Sequence, residues 1–372
     1  MKKKVLTILG TRPEAIKFAP LIKEFEKHSE EFDSRVCSTG QHREMLDQVL
    51  DFFDIDPEYK LGVMSDNQTL FGVSAKILVG LEKVFNDFMP DVVFVQGDTA
   101  TTLFGALGGF YKQVKVAHLE AGLRSGDKFS PFPEEVNRLL VSRVADLHFT
   151  ATQRNGDDLR KEGIEEGVHE VGNTVVDALF LCLEKIKERG EETYEKFFDF
   201  VDFNKRVILV TGHRRESFGK PFEELCRSLG RIKAEHPDVE IVYPVHLNPN
   251  VQKPVHDILG GQEGIHLIAP LDYPYLVWLM NKCELVLTDS GGIQEEAPSL
   301  GKPVLVMRDV TERKEGVDAG TAILVGTDPD RIYWETTKLL RDADAYGVMA
   351  KTANPYGDGG AAQKVVKIIG EL

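Results

Sequence analysis

Apolar positions along this chain follow two alternating patterns. Short β-rich runs are separated by longer stretches in which apolar residues return every three or four positions. Val5-Leu-Thr-Ile-Leu9 predicts a strand, and Ile16, Phe18, Leu21, Ile22 and Phe25 then share one face of a helix whose first turn accommodates Pro13. Strands are predicted at 36–39, 91–95, 114–118, 147–151 and 170–172. Helices are predicted at 45–53, 67–90 and 103–110, from Glu134 onward, and at 175–189. The second half restarts the pattern, with strands at 206–210, 241–246, 265–267, 285–287, 303–307 and 321–325. Helices there cover 275–281, the stretch from Gly291 to Leu300 with Gly301 as its stop, and 361–372; residues 308–316 read as a polar loop. Strands alternating with helices at this spacing predict parallel sheets with right-handed crossovers.

Residues 4–14 and 206–216 mirror one another as strand, glycine, basic turn, glutamate and amphipathic helix. The loops after Val95 and around Asp289 form a second such pair. The predicted fold is therefore α/β, with two Rossmann-like doubly wound domains facing a cleft. The first spans 1–175 and is joined by the helix 361–372; the second spans 176–358.

Composition narrows the function. A chain of 372 residues suits two domains, and its net charge of −15 argues against non-specific nucleic-acid or membrane-surface binding, which needs a basic face; a polyanion would need a locally basic pocket. The four cysteines, Cys37, Cys182, Cys226 and Cys283, follow neither zinc nor C-x-x-C spacing and fit buried thiols of a reducing compartment. No apolar run reaches the roughly 18 residues of a membrane span, and Met1-Lys-Lys-Lys leads into a strand. A cytoplasmic location is expected.

The candidate chemistry centres on residues 285–307. There Thr288-Asp-Ser-Gly-Gly292 stands between a buried strand and a helix, so free N–H groups and a positive dipole end can meet a phosphate. Ser290, Gly291 and Gly292 would form the cradle, and Glu296, a turn further on, could accept from a ribose diol. Gly301-Lys302 is followed by Pro303, so there is no Walker A loop, and no G-x-G-x-x-G supports a nicotinamide or flavin. The polar residues at predicted strand C-termini are Arg12, Lys17, Asp98, Glu120, Arg124, His213, Arg214, Ser290 and Glu296; Glu134, Arg138 and Arg313 join them from loops. Each has a plainer alternative: solvated charges for Arg12 and Lys17, helix-dipole capping for Glu134, a structural histidine for His213. As a set they combine cations for a diphosphate with carboxylates, which repel phosphate unless they serve a sugar or a proton transfer. A sugar nucleotide meets both requirements.

At this level the chain resembles the non-hydrolysing UDP-N-acetylglucosamine 2-epimerases. The resemblance is carried by Gly10-Thr-Arg-Pro-Glu14, Gly40-Gln-His-Arg-Glu-Met45, Gly97-Asp-Thr99, His118-Leu-Glu-Ala-Gly-Leu-Arg124, Pro133-Glu-Glu135 and Asn137-Arg138. In the second half it rests on Gly172-Asn-Thr174, Thr211-Gly-His-Arg-Arg-Glu216, Pro244-Val-His-Leu-Asn-Pro249, Thr288-Asp-Ser-Gly-Gly-Ile-Gln-Glu-Glu-Ala-Pro298 and Thr311-Glu-Arg313. It implies a glycosyltransferase-B type fold, a homodimer, and reversible inversion at C2 of the sugar with no cofactor and no essential metal. The implied route is anti elimination of UDP to 2-acetamidoglucal and re-addition. By motif, Asp98, Glu120 and Glu134 are the acid–base carboxylates, and His213 assists the departing phosphate. Arg12, Lys17, Arg138 and Arg313 contact or support phosphate and sugar, Ser290, Gly291 and Gly292 hold the diphosphate, and Glu296 the ribose.

Some relatives bind a second UDP-N-acetylglucosamine as an activator. Gln41, His42, Gln68 and His246 match that site, but Glu44 and Asn67 stand where those relatives use Gln and Arg, and Lys314 replaces a common Pro. The rival readings are a glycosyltransferase of the same fold, a hydrolysing epimerase, a non-enzymatic nucleotide-sugar sensor, and an epimerase for a modified sugar. The first leaves the three carboxylate motifs unexplained, and the sensor would not need them together.

Overall fold

The computed structural model describes residues 2–40, 43–64, 68–214 and 218–372. The chain divides into two compact units, Met1–Leu181 with Tyr356–Leu372, and Cys182–Pro355. The first unit holds β1 (Lys3–Leu9), β2 (Phe32–Ser38), β3 (Tyr59–Lys60), β4 (Val92–Gln96), β5 (Lys115–Leu119), β6 (Leu147–Thr150) and β7 (Val168–Glu170). They form one parallel sheet in the order β3-β2-β1-β4-β5-β6-β7. The second holds β8 (Arg206–Thr211), β9 (Val239–Pro244), β10 (Ile265–Ile268), β11 (Leu285–Thr288), β12 (Val304–Val306) and β13 (Ala322–Leu324), parallel in the order β10-β9-β8-β11-β12-β13. The two sheets repeat one topology, β1 corresponding to β8 and β4 to β11, as the sequence mirror predicts. In both, the order reverses beside the first strand, and the C-terminal edge at such a switch point is where open α/β sheets bind ligands.

The central strands are apolar on both faces because helices cover both. Val92 to Val95 and Leu285 to Leu287 are at most 2% exposed. Each unit has its own core. Leu6, Ile8, Val93 and Val95 pack with Ile77, Leu81 and Phe85 in the first; Ile208, Val210 and Leu287 pack with Phe222, Leu225 and Ile332 in the second. The last helix, Ala361–Glu371, belongs to the first unit. Asp177 Oδ1 accepts the backbone N–H of Ala362 at 2.8 Å, and Lys3 Nζ donates to Ile369 O at 2.6 Å. Among the described residues no helix is long and apolar enough to cross a membrane.

Several helices depart from the sequence expectation. The stretch expected to be helical through Leu300 is α-helical only over Gly291–Glu296. Pro298 lacks the N–H that would continue the ladder, so Ala297–Leu300 tightens to a 3-10 turn before Gly301, at φ 66°, ends it. The expected polar loop 308–316 turns helical at Lys314–Ala319. Helices at Gln153–Lys161, Pro249–Leu259, Pro329–Arg341 and Ala343–Lys351 are additional. Gln153–Lys161 carries a glycine and one buried aliphatic, Leu159, so it lacks the apolar stripe that announces a helix.

Candidate active site

In the first unit, Thr11 caps the helix Arg12–Lys27 and closes a capping box with Glu14. Glu14 is 2% exposed, and its carboxylate accepts the backbone N–H of Gly10 (2.9 Å) and Thr11 (2.7 Å) and the hydroxyls of Thr99 (2.6 Å) and Thr102 (3.2 Å). Burial raises its pKa, and these donors work against that rise. One carboxylate thus joins the loop after β1 to the loop after β4. Gly10 is required there, because a Cβ would come within 2.3 Å of the hydroxyls of Thr39 and Thr101. Arg12 opens the same helix, half-buried and without an ion pair among the described residues.

Lys17, one turn on, is 9% exposed, and its Nζ lies 2.6 Å from Glu120 Oε2. Gln96 Nε2 donates to the same oxygen. Glu120 sits just past β5 at φ 59°, in the left-handed region that a residue with a Cβ rarely occupies. The turn therefore stores strain while aiming a carboxylate at the sheet's C-terminal edge. A Cβ at Gly97 would lie 3.7 Å from Glu120 Oε2, so Glu120 reaches the residue next to Asp98.

Asp98 Oδ2 accepts from Arg138 Nε at 2.9 Å and lies 2.7 Å from Nη2, and its carbonyl accepts from Asn137 Nδ2 at 2.7 Å. Arg138 also donates to Glu135 Oε2 at 2.9 Å. Burial pushes the Glu135 carboxyl up, but the N–H groups of Ser125 and Gly126 and the Arg138 guanidinium outweigh it and hold Glu135 below the usual range. Asn137 and Arg138 belong to the helix Glu134–Val144, and Glu134 lies one turn before Arg138 on the same face. Glu134 Oε2 is buried and has no hydrogen-bond partner among the described residues. The structure thus brings Asp98, Glu120, Glu134, Lys17 and Arg138 to one edge. Arg124, collected with them in the sequence, is instead committed to Glu162, bonding both carboxylate oxygens at 2.7 and 3.0 Å.

In the second unit Asp289, 2% exposed, joins the loop after β8 to the loop after β11. Its Oδ2 accepts the backbone N–H of His213 (2.6 Å) and Arg214 (2.7 Å), and its Oδ1 lies 3.0 Å from His213 Nδ1. This is the counterpart of the Glu14 staple, with the acid on the opposite strand loop. Ser290 is the N-cap residue of Gly291–Glu296, but its hydroxyl makes no capping bond. Arg313 Nε donates to Glu295 at 2.9 Å, and a Cβ on Gly291 would meet Arg313 Cζ at 3.0 Å, so the guanidinium lies flat against the helix start. Thr311 fixes that loop by donating to Gln294 Oε1 at 2.8 Å. Glu296 Oε1 accepts from the buried Tyr273 hydroxyl at 2.7 Å, and its Oε2 faces Gly292.

Of the four residues matched to an activator site, Gln41 and His42 lie outside the described residues, as do Arg215 and Glu216 of the basic turn. Gln68 Nε2 donates to Met64 Sδ at 3.2 Å in the first unit. His246, in the second, stacks on His213 with ring centroids 5.3 Å apart. Glu14, Gln96 and Asp289 join the candidate site only through the fold. Glu14 and Asp289 stand inside quoted motifs, but only the folded loops bring their partners to them.

The first unit groups carboxylates and cations at its sheet's C-terminal edge, and the second places backbone N–H groups at a helix start, the features of an α/β protein suited to a nucleotide sugar. The comparisons agree. The family model described as UDP-N-acetylglucosamine 2-epimerase matches residues 23–370. The chain is 52% identical over 369 residues to the UDP-N-acetylglucosamine 2-epimerase of Yersinia pestis, covering 98% of both chains, and 51% identical over 369 residues to that of Escherichia coli K12, again covering 98% of both. The crystal structure of the Neisseria meningitidis UDP-GlcNAc 2-epimerase bound to UDP-GlcNAc matches with a TM-score of 0.92 at 46% identity, over 99% of this chain and all of that one. The chain belongs to the UDP-N-acetylglucosamine 2-epimerase family and is an isomerase with that family's α/β architecture of two parallel sheets.

Proposed function

We propose that this chain interconverts UDP-N-acetylglucosamine and UDP-N-acetylmannosamine by anti elimination of UDP to 2-acetamidoglucal and re-addition. The observation that carries the mechanism is the Glu120 carboxylate, held by Lys17 and Gln96 on a strained turn beside Asp98. The C2 proton is too weakly acidic to leave alone, so its removal is coupled to breaking the C1–O bond to the diphosphate. Inverting C2 while C1 keeps its configuration requires the proton to leave one face of C2 and return to the other. Proton carriers are then needed on both faces, and Asp98, Glu120 and Glu134 supply them. Arg12 and Arg138 support the phosphate and sugar from the first unit. In the second, the N–H groups of Gly291 and Gly292, with Ser290 and Arg313, hold the diphosphate, His213 assists its departure and Glu296 holds the ribose.

The test is proton NMR in D₂O with UDP-N-acetylglucosamine and no added cofactor. A second set of nucleotide-sugar signals, deuterated at C2, is expected. Free UDP with free N-acetylmannosamine would replace this reading with hydrolysis, and no turnover would redirect it to a modified sugar or an acceptor.

The protein is read as a homodimer. Val79, Phe110, Tyr111 and Leu140 are between 48% and 62% exposed on the neighbouring helices Leu70–Phe88, Ala100–Tyr111 and Glu134–Val144, an apolar face that a second copy would cover. Light scattering at twice the monomer mass is the expected result. Four free, buried cysteines support a cytoplasmic location.

A further inference from the structure

The contact between Asp289 and His213 gives Asp289 work that no motif role covers. Burial pushes the Asp289 carboxyl up, but the His213 ring and the two backbone donors of His213 and Arg214 outweigh it and hold its pKa below the usual range. Asp289 is therefore an acceptor; its buried Oδ1 makes no aligned hydrogen bond among the described residues but lies 3.0 Å from His213 Nδ1, and a small rotation of the imidazole directs an Nδ1 proton to it. His213 Nε2 has no protein partner among the described residues, and the side chain is 38% exposed. The ring's second face is occupied by His246, with planes 17° apart. His246 Nδ1 accepts the backbone N–H of Asn248 at 3.1 Å, so the His246 proton sits on Nε2 and the stacked ring is neutral. Burial, and then His213, lower the His246 pKa. Arg214 Nε donates to Asp289 O at 3.4 Å, and Tyr243 donates its hydroxyl to Gly212 O at 2.9 Å and is kept protonated by burial.

We propose that Asp289 is the positioning residue for His213: it holds the imidazole in its Nδ1–H form against His246, so that Nε2 alone exchanges the proton passed to the departing diphosphate. Asp289 touches no substrate in this scheme. The inference rests on the leaving-group role given to His213 above.

The experiment uses the full chain with ¹⁵N-labelled histidine, assigned with His213→Gln, over pH 6–8 and alongside turnover. In the wild type, Nδ1 of His213 is expected to stay protonated throughout. In Asp289→Asn the amide oxygen can keep the backbone bonds while its NH₂ replaces Oδ1. The His213 proton should move to Nε2, and turnover drop on the order of 10²–10⁴-fold with KM within about threefold. Asp289→Glu should recover part of the turnover. A wild-type His213 with Nδ1 unprotonated overturns the proposal, and so does an Asp289→Asn variant with unchanged His213 signals. If that variant does not fold, the wild-type spectrum alone decides. Normal turnover in His213→Gln would strike the leaving-group role itself, and with it the catalytic use of Asp289, whatever the spectra show.

Discussion

Lys17 Nζ and Glu120 Oε2 lie 2.6 Å apart across 103 residues of chain, with side chains only 11% and 13% exposed. Removing one partner takes the opposing charge from a mostly buried ion, at a cost of up to about 3–5 kcal/mol, whereas removing both costs far less. Lys17→Met should therefore lower the melting temperature clearly, and Lys17→Met with Glu120→Gln should restore much of it. Glu120→Gln should lose on the order of 10²–10⁴-fold in turnover in either background. Thermal melts together with the NMR assay check this, and additive losses in the melts would deny the coupling.

Arg138 grips Asp98 through Nε and Nη2 while holding Glu135 through Nη1. A lysine offers a point charge in place of this fork and cannot serve both carboxylates in the same geometry. Arg138→Lys is expected to lower turnover by roughly 10–100-fold, because a small misplacement of a catalytic group has effects of this size. Equal turnover in the two proteins would release Asp98 from the role given to it.

Gly291→Ala places a methyl 3.0 Å from Arg313 Cζ and 3.1 Å from its Nε. The guanidinium must shift by a few tenths of an ångström at the helix start. UDP affinity should fall about tenfold, a loss of about 1.4 kcal/mol, with little change in melting temperature. Calorimetric titration with UDP measures it, and undiminished affinity would remove this helix start from the diphosphate site.

His118 and His148 are paired in register on β5 and β6 and are 1% and 2% exposed. Burial pushes both pKa values from 6.5 to about 4, against the opposing pull of the Gly97 carbonyl on His118 and of Asp146 on His148. Between those values the unfolded chain binds protons that the folded chain refuses. Stability should fall as pH drops from 6.5 towards 4, by up to about 1.4 kcal/mol per pH unit for each histidine. Urea midpoints at pH 7 and pH 5 should differ less in His148→Leu than in the wild type; an equal difference would assign the acid sensitivity to other groups.

The four thiols should be inert in the folded protein. Burial raises Cys37, Cys226 and Cys283 to about 12 and Cys182 well above its ordinary value, so almost no thiolate is present. A thiol reagent should label none in buffer and four in urea. Rapid labelling of the native protein would contradict this burial.

The sequence by itself determined whatever depends on local periodicity or short motifs. Val5 to Leu9 and Leu285 to Leu287 read as covered strands, and the mirror between 4–14 and 206–216 announced two sheets of one topology. The motifs at Asp98, Glu120, Glu134 and Ser290 were legible because each stands where a predicted strand ends or a helix begins. Helices such as Gln153–Lys161 were not, since a polar helix held by its neighbours has no stripe to read. Only the tertiary structure decided which polar residues serve one another. It sent Arg124 to Glu162, set Glu14 and Asp289 as staples between strand loops, and stacked His246 on His213. Hydrogen bonds and ion pairs act over about 3 Å, and residues tens of positions apart reach that distance only when strand order carries them to the same edge.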